Sequence, residues 1–317
     1  MLLFLVLLFN STPLFDCLKY EKQFSDSSLS HSLSLLHHAI DEFKMHIYII
    51  SRSYYRDFKD TNVEENTQAI ETMKLLQLKE DEHYTIINAI EGIRLTEDDI
   101  DTYVDNNIVS PNYFTSNGHR KNKNWNVFNG EKNRLGLQLS YLKTMSTFLL
   151  SESRFSLALI LEEDATLGMN VNDASQLLTK VLHLPLNLDV FYLGWCYECN
   201  ESKTIQKWYT EALYPLCRHS ILWTRTAAQW YMDVVKPLRY PFRGGDQLLA
   251  HYLCAYSITK RRLTKDPIFV QNVTTRHSTL QNHDKKDLFF PSDWTCDRWK
   301  SMCNNAKVMY NKYNKTE

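Results

Sequence analysis

Glu162, Glu163 and Asp164 follow directly on Leu157-Ala158-Leu159-Ile160-Leu161. Five apolar residues bounded by charge have the pattern of a strand buried on both faces, as in a parallel sheet. Carboxylates at the carboxyl end of such a strand stand where open α/β sheets bind ligands. On an extended backbone, residues two apart share a face. That would turn Glu162 and Asp164 to one side and Glu163 to the other. Oxygen donors so placed suit a hard divalent cation, and the cation could hold a diphosphate. Ordinary solvated acids at a strand end fit the same pattern, and the stretch alone does not separate the two readings.

The elements that must position these acids can be read from periodicity. His46-Ile47-Tyr48-Ile49-Ile50 is β-rich and reads as the first strand. A helical stretch around 63–80 follows, then a second strand at 84–90 closed by Gly92. Residues 96–133 are polar and Asn-rich, with Pro111 and Gly118, and read as a long loop region with short elements. Leu135, Leu139, Leu142, Met145 and Leu149 recur at helical spacing. After the strand at 157–161, a helix around 173–183 is expected, capped by Asn172 or Asp173. Short strands are expected at 189–193 and 219–223, and Thr226 is placed to cap a helix over 227–236. Asp246 opens a helical stretch to about 254, and 255–258 return to strand. Alternating strands and helices predict an α/β fold with a largely parallel central sheet flanked by helices.

Bulk properties narrow the function classes. The chain has 317 residues, 44% hydrophobic, with a net charge of −1. It can bury a sizeable core, and its charge balance gives no argument for nucleic acid as a partner. Two basic clusters, His119-Arg120-Lys121 with Lys123 and Lys260-Arg261-Arg262, read as solvated surface or as contacts to an anionic ligand. The apolar run Met1–Phe9 is too short to span a bilayer and fits the core of a secretory signal, although no basic residue precedes it. The seven cysteines include Cys196-Tyr197-Glu198-Cys199, but no second such pair follows. Structural disulfides or buried thiols are therefore expected rather than zinc, with Cys296 and Cys303 a plausible local bridge. Asn200-Glu201-Ser202, Asn272-Val273-Thr274 and Asn314-Lys315-Thr316 are glycosylation acceptors if the chain enters the secretory lumen.

The order of several short motifs resembles glycosyltransferase family 25, the family of lipopolysaccharide-type glycosyltransferases and collagen galactosyltransferases. The family's first strand with spaced arginines is matched by Ile49-Ile50-Ser51-Arg52-Ser53-Tyr54-Tyr55-Arg56, with Ile49 where the family has Asn. Its Ala-Ile-x-Gly element is matched by Ala89–Gly92. Its Gly-x-x-Leu-Ser-His helix start is matched by Gly136–Tyr141, with Tyr141 replacing His. Leu161-Glu162-Glu163-Asp164 stands for Leu-Glu-Asp-Asp, and Asp189 to Gly194 for Asp-x-x-x-Leu-Gly. Gly245-Asp246-Gln247 and Pro267 to Gln271 complete the series, so the similarity spans roughly 46–271.

This resemblance implies a GT-A-like fold, a UDP-sugar donor (galactose foremost), a Mn2+ or Mg2+ ion, and inverting transfer to a glycan or protein-linked hydroxyl. It implies Asp164 as metal ligand, with Glu162 reaching the metal through water or contacting the nucleotide ribose. Glu163 keeps the charge of the family's Asp on a longer arm. Arg52 and Arg56 would hold the nucleotide, by forking onto phosphate or packing on a base; ion pairing at the surface is the alternative. Ser140 and Tyr141 would touch the donor, or serve core and capping roles. Asp246 would take the acceptor hydroxyl's proton, or simply cap its helix. Trp195 could stack on a sugar. The implied organisation is a signal peptide or short membrane anchor at 1–16, a lead-in at 17–45, the transferase domain at 46–290 and a tail at 291–317. A secretory location, endoplasmic reticulum or Golgi lumen or outside the cell, goes with it. A non-catalytic, glycosyltransferase-like binding or adhesion protein is the alternative, supported by Ile49, Tyr141 and the altered acidic triplet.

Overall fold

The computed structural model describes residues 26–52, 67–114, 125–151, 154–184, 190–195, 204–212, 217–239, 249–250, 252–253, 260–264 and 266–271, with positions 301, 304 and 308. The apolar run at 46–50 forms β1 (Met45–Ser51), every residue of which is buried. It follows α1 (Asp26–Glu42) and precedes α2 (Gln68–Leu75), β2 (Tyr84–Asn88), a 3-10 turn (Gly92–Arg94), α3 (Glu97–Asp105) and α4 (Trp125–Leu150). Next come β3 (Leu157–Glu162), β4 (Ala165–Leu167), α5 (Val171–Leu182) and β5 (Val190–Tyr192). β6 (Thr204–Gln206), β7 (Tyr209–Glu211), β8 (Ser220–Thr224), α6 (Arg225–Val235), β9 (Lys260–Leu263) and β10 (Phe269–Gln271) complete the order. No helix among the described residues is long and apolar enough to cross a membrane.

Eight strands make one sheet in the order β2-β1-β3-β8-β5-β9-β7-β6, and β10 pairs with β4 in a small second sheet. The α/β class is as expected; the largely parallel sheet is not. β2–β1, β1–β3 and β5–β9 are parallel, whereas β3–β8, β8–β5, β9–β7 and β7–β6 are antiparallel. A strand covered on both faces carries the same unbroken apolar run in either direction, so the local pattern holds no sign of polarity. The reversal of β8 changes what meets the strand tips. Its entrance, Arg218-His219, reaches the same sheet edge as the carboxyl ends of β1, β2 and β3.

Both faces of the sheet are covered, as the strand periodicity requires. Ile47, Ile49, Leu157, Leu159 and Leu161 pack with residues of α1, α2 and α5. Tyr48, Ile50, Ala158 and Ile160 pack on the other face with α3, α4 and α6. Each of these Ile and Leu side chains contributes about 1.5–3 kcal/mol by leaving water. The stretch expected as a lead-in carries α1, which packs on α5. Ser32 Oγ there donates to Asn172 Oδ1 at 2.7 Å.

Several boundaries differ from expectation. Residues 97–105, within the region expected to be a long loop with short elements, form a helix because Thr96 and Asp99 make a reciprocal capping box. α4 also extends back to Trp125. α5 is capped by Asn170 rather than Asn172 or Asp173, and α6 by Thr224 rather than Thr226. In each case the side chain that accepts a backbone N–H three residues on sets the start. α2 is shorter than 63–80, ending at Leu75 with Leu76 as its C-cap before Gln77 turns to φ 54°. Lys260-Arg261-Arg262 is not solvated surface but the core of β9, with Lys260 buried. Arg261 lies over the Tyr209 ring and Arg262 over Trp195, so aromatic faces receive the guanidinium planes. The expected strand at 255–258 lies outside the described residues.

Candidate functional site

β3 ends at Glu162, and Glu163-Asp164 form the turn into β4. The strand alternation therefore stops one residue into the acidic triplet, and the three carboxylates diverge to three different elements.

Glu163 turns to β1. Parallel pairing places Ile50 opposite Glu162, so Ser51 and Arg52 arrive beside Glu163. Its Oε2 accepts from Arg52 N at 2.8 Å and from Ser51 Oγ at 3.3 Å. Its Oε1 accepts from Arg52 Nε at 2.7 Å, and Arg52 Nη2 completes the ion pair. The Glu163 carbonyl accepts from Ala69 N, in the first turn of α2. Such a forked, charge-assisted contact is stronger than neutral hydrogen bonds.

Glu162 turns to β8. Its N–H donates to the His219 carbonyl at 3.0 Å, and its Oε1 accepts from Arg218 Nε at 3.0 Å. Arg218 is only 2% exposed. Its guanidinium carbon stands 5.1 Å from the Tyr141 ring centroid, and the Tyr141 hydroxyl accepts from Trp223 Nε1 at 2.8 Å. Burial pushes the Tyr141 phenol well above its ordinary range. Cys217, just before Arg218, is disulfide-bonded, in keeping with the structural disulfides expected from the cysteine pattern.

Asp164 turns to the small sheet. Its Oδ2 accepts from Gln271 Nε2 at 2.9 Å. Its Oδ1 is buried without a hydrogen-bond partner among the described residues. Burial raises the carboxyl above the usual range, against the lowering effect of the Gln271 hydrogen bond and of His219.

A cavity of about 280 Å³ opens at the carboxyl ends of β1 and β2, lined by Arg52, Asn88, Ile90, Glu91, Arg94 and Asp99 among others. One wall is the 89–95 loop, which α4 holds from behind. Ser140 Oγ accepts from Ile90 N at 2.7 Å and donates to Gly136 O at 2.7 Å. Lys143 Nζ donates to the Asn88 carbonyl at 3.0 Å.

The expected site residues thus divide. Arg52, Glu162, Glu163 and Asp164 gather at one sheet edge, and Arg52 also faces the cavity. Ser140 and Tyr141 are 1% and 0% exposed; Ser140 braces the cavity loop and Tyr141 packs against Arg218, which is the core role given above as their alternative. Trp195 is half-buried, with the Arg262 guanidinium 4.9 Å from its ring centroid. Arg56 and Asp246 lie outside the described residues. Sequence reading missed Arg218 as a partner of the acids. The signal was a cation immediately before an apolar strand, but its meaning depends on that strand's direction.

Among the described residues, no group of three or more His, Cys, Asp or Glu is arranged to hold a metal ion. The donor set nevertheless fits a small hard cation. Mg2+-type ions are commonly held by one or two carboxylates together with substrate phosphates and water. Asp164, with one buried and unbonded oxygen, is the residue suited to the task. Glu162 Oε1 is engaged by Arg218 Nε, so its other oxygen is the one that could join it.

No protein-family model matches this chain, and no curated protein is significantly similar to it in sequence.

Proposed function

We propose that this chain is a glycosyltransferase of GT-A-like architecture, taking a sugar from a nucleoside diphosphate donor to a hydroxyl of a glycan or protein acceptor, with inversion and with Mn2+ or Mg2+. UDP-galactose is the first donor to test. The observation that carries the reading is spatial pairing among segments far apart in the chain. Arg52 meets Glu163, Asp164 meets Gln271, and Ile90 meets Ser140. Each partner belongs to one of the motifs on which the family resemblance rests, and the motifs meet at the edge where open α/β sheets take ligands.

In this reading Arg52 orients the donor from the cavity side and its positive charge offsets that of the diphosphate. Asp164 contributes its unbonded oxygen to the cation, and Gln271 fixes the rotamer of that carboxylate. Arg218 holds Glu162 at the strand tip. A bound cation supplies Lewis-acid stabilisation of the charge on the departing diphosphate. Asp246 is assigned as the base that removes the acceptor proton. The secretory lumen is the matching location.

A second reading, a non-catalytic binding protein built on the same architecture, draws on two contacts. Glu162 and Glu163 are both occupied by arginines, and Tyr141 stands in place of the family's histidine. Titrating the full-length chain with UDP and a panel of UDP-sugars, with and without Mn2+, separates the two. Mn2+-dependent binding and sugar release that Asp164→Ala abolishes support the transferase. Folded protein that binds no nucleotide in either condition supports the binding module.

A further inference from the structure

Four donors converge on a single carboxylate at the end of β1. Ser51 Oγ, Arg52 N, Arg52 Nε and Arg52 Nη2 all point to the two oxygens of Glu163. A backbone N–H, a hydroxyl and a forked guanidinium form the donor set that recognises a phosphate oxygen. Here an acidic side chain of the protein itself fills that set. Arg52 at the same time lines the cavity, whose other walls are Asn88, Ile90, Glu91, Arg94 and Asp99. Of these charged groups, Arg94 is paired with Glu91 at 3.0 Å and Asp99 closes the α3 capping box. Among the described residues that line the cavity, Arg52 is the cation that also reaches the acidic strand tip.

We propose that the Ser51–Arg52 donor set is an anion slot for a phosphate or diphosphate group, held in this state by Glu163 as an internal stand-in, and that an entering diphosphate displaces the Glu163 carboxylate. The inference rests on the nucleotide-sugar reading for its ligand class and adds a regulation to it. The geometry makes exchange feasible. Glu163 sits in the turn after β3, not within the sheet, and its side chain is 17% exposed against 25% for Arg52. Its backbone stays anchored through the Ala69 N–H, so only the side chain has to swing. A displaced Glu163 would bring its negative charge, no longer held by Arg52, beside Asp164 and the incoming diphosphate. A divalent cation relieves that repulsion, so anion and cation binding are linked. By reciprocity each then strengthens the other by the same factor.

An occupied slot also lowers apparent affinity by the fraction of time it stands open. Removing the internal competitor must therefore tighten anion binding. The test is calorimetric titration of the full-length chain with inorganic pyrophosphate, without metal and then with Mn2+. Glu163→Gln is expected to bind pyrophosphate about tenfold or more tightly than the unaltered chain when metal is absent. The same variant should lose most of the gain that Mn2+ confers. Arg52→Gln should abolish binding in either background. Equal or weaker pyrophosphate binding by folded Glu163→Gln overturns the proposal and leaves the pair as a structural tie. Should that variant fail to fold, the unaltered chain decides. Pyrophosphate must shift the Arg52 Nε–H resonance of arginine-labelled protein, and an unmoved resonance at saturating pyrophosphate overturns the exchange. The outcomes separate this inference from the transferase reading. Pyrophosphate exchange without any nucleotide-sugar turnover keeps the slot and removes the transferase. Asp164-dependent turnover with no Glu163→Gln effect does the reverse.

Discussion

Gly92 and Gly136 meet backbone to backbone behind the cavity loop. A Cβ on Gly136 would lie 2.4 Å from the Gly92 nitrogen and 2.4 Å from the Ile90 carbonyl oxygen. A Cβ on Gly92 would lie 1.8 Å from the Lys132 carbonyl oxygen. The obstacles are main-chain atoms on both sides, so no side-chain rotation relieves them. Two glycines separated by a long stretch of sequence thereby set how closely α4 approaches the 89–95 loop.

Gly136→Ala is expected to destabilise the fold by about 1–3 kcal/mol through overpacking, although alanine is the better helix former at an ordinary helical position. Urea unfolding monitored by circular dichroism measures it. An unchanged midpoint would mean that α4 and the loop can separate freely, and the bracing role of Ser140 would then fall with it.

The Glu162–Arg218 pair should behave as a buried ion pair. Arg218→Met removes the buried cation that faces Glu162 and should cost about 3–5 kcal/mol. Glu162→Gln alone removes the charge that faces the arginine. The double variant should recover part of the loss, because the two opposite charges are then removed together. A thermodynamic cycle over the four proteins reads the coupling directly. Additive single effects would show that the two residues act independently.

Acid sensitivity should trace in part to His46. It lies on β1 at 2% exposure, bonded through Nε2 to Thr85 Oγ1 at 2.8 Å and stacked on Phe155 with centroids 4.1 Å apart. Burial, followed by Arg154 and His83, lowers its pKa to about 4 from 6.5. Below pH 6.5 the unfolded chain takes up a proton that the folded chain refuses, so stability falls as pH drops from about 6.5 to about 4 and changes no further from this group below that. His46→Phe should flatten that limb in thermal melts recorded across the range. A slope identical to that of the unaltered chain would assign the acid sensitivity to other groups.

How much of this was legible in the sequence depends on whether the signal was local. The strands at 46–50 and 157–161 were plain, since unbroken apolar runs have one comfortable home in a covered sheet. The acids at the tip of β3 were plain for the same reason. Strand direction was not legible, and with it went the arrival of Arg218 beside Glu162. The basic run 260–262 misled because charge suggests solvent, while the rings of Tyr209 and Trp195 that receive it come from distant segments. The helix at 97–105 is one of the short elements expected within 96–133, and its start was readable, since Thr96 and Asp99 have capping-box spacing. Ser140 and Tyr141 stood out as motif residues, but their burial is a tertiary fact that no local pattern carries.

The covalent link at Cys217 gives the cation beside Glu162 a chemical history. Arg218 directly follows a residue whose sulfur is cross-linked, and whether such a link forms depends on the redox conditions the chain meets. Protein matured under oxidising conditions and protein made among reductants are then two different reagents, and the preparation history of a sample belongs with any affinity measured on it.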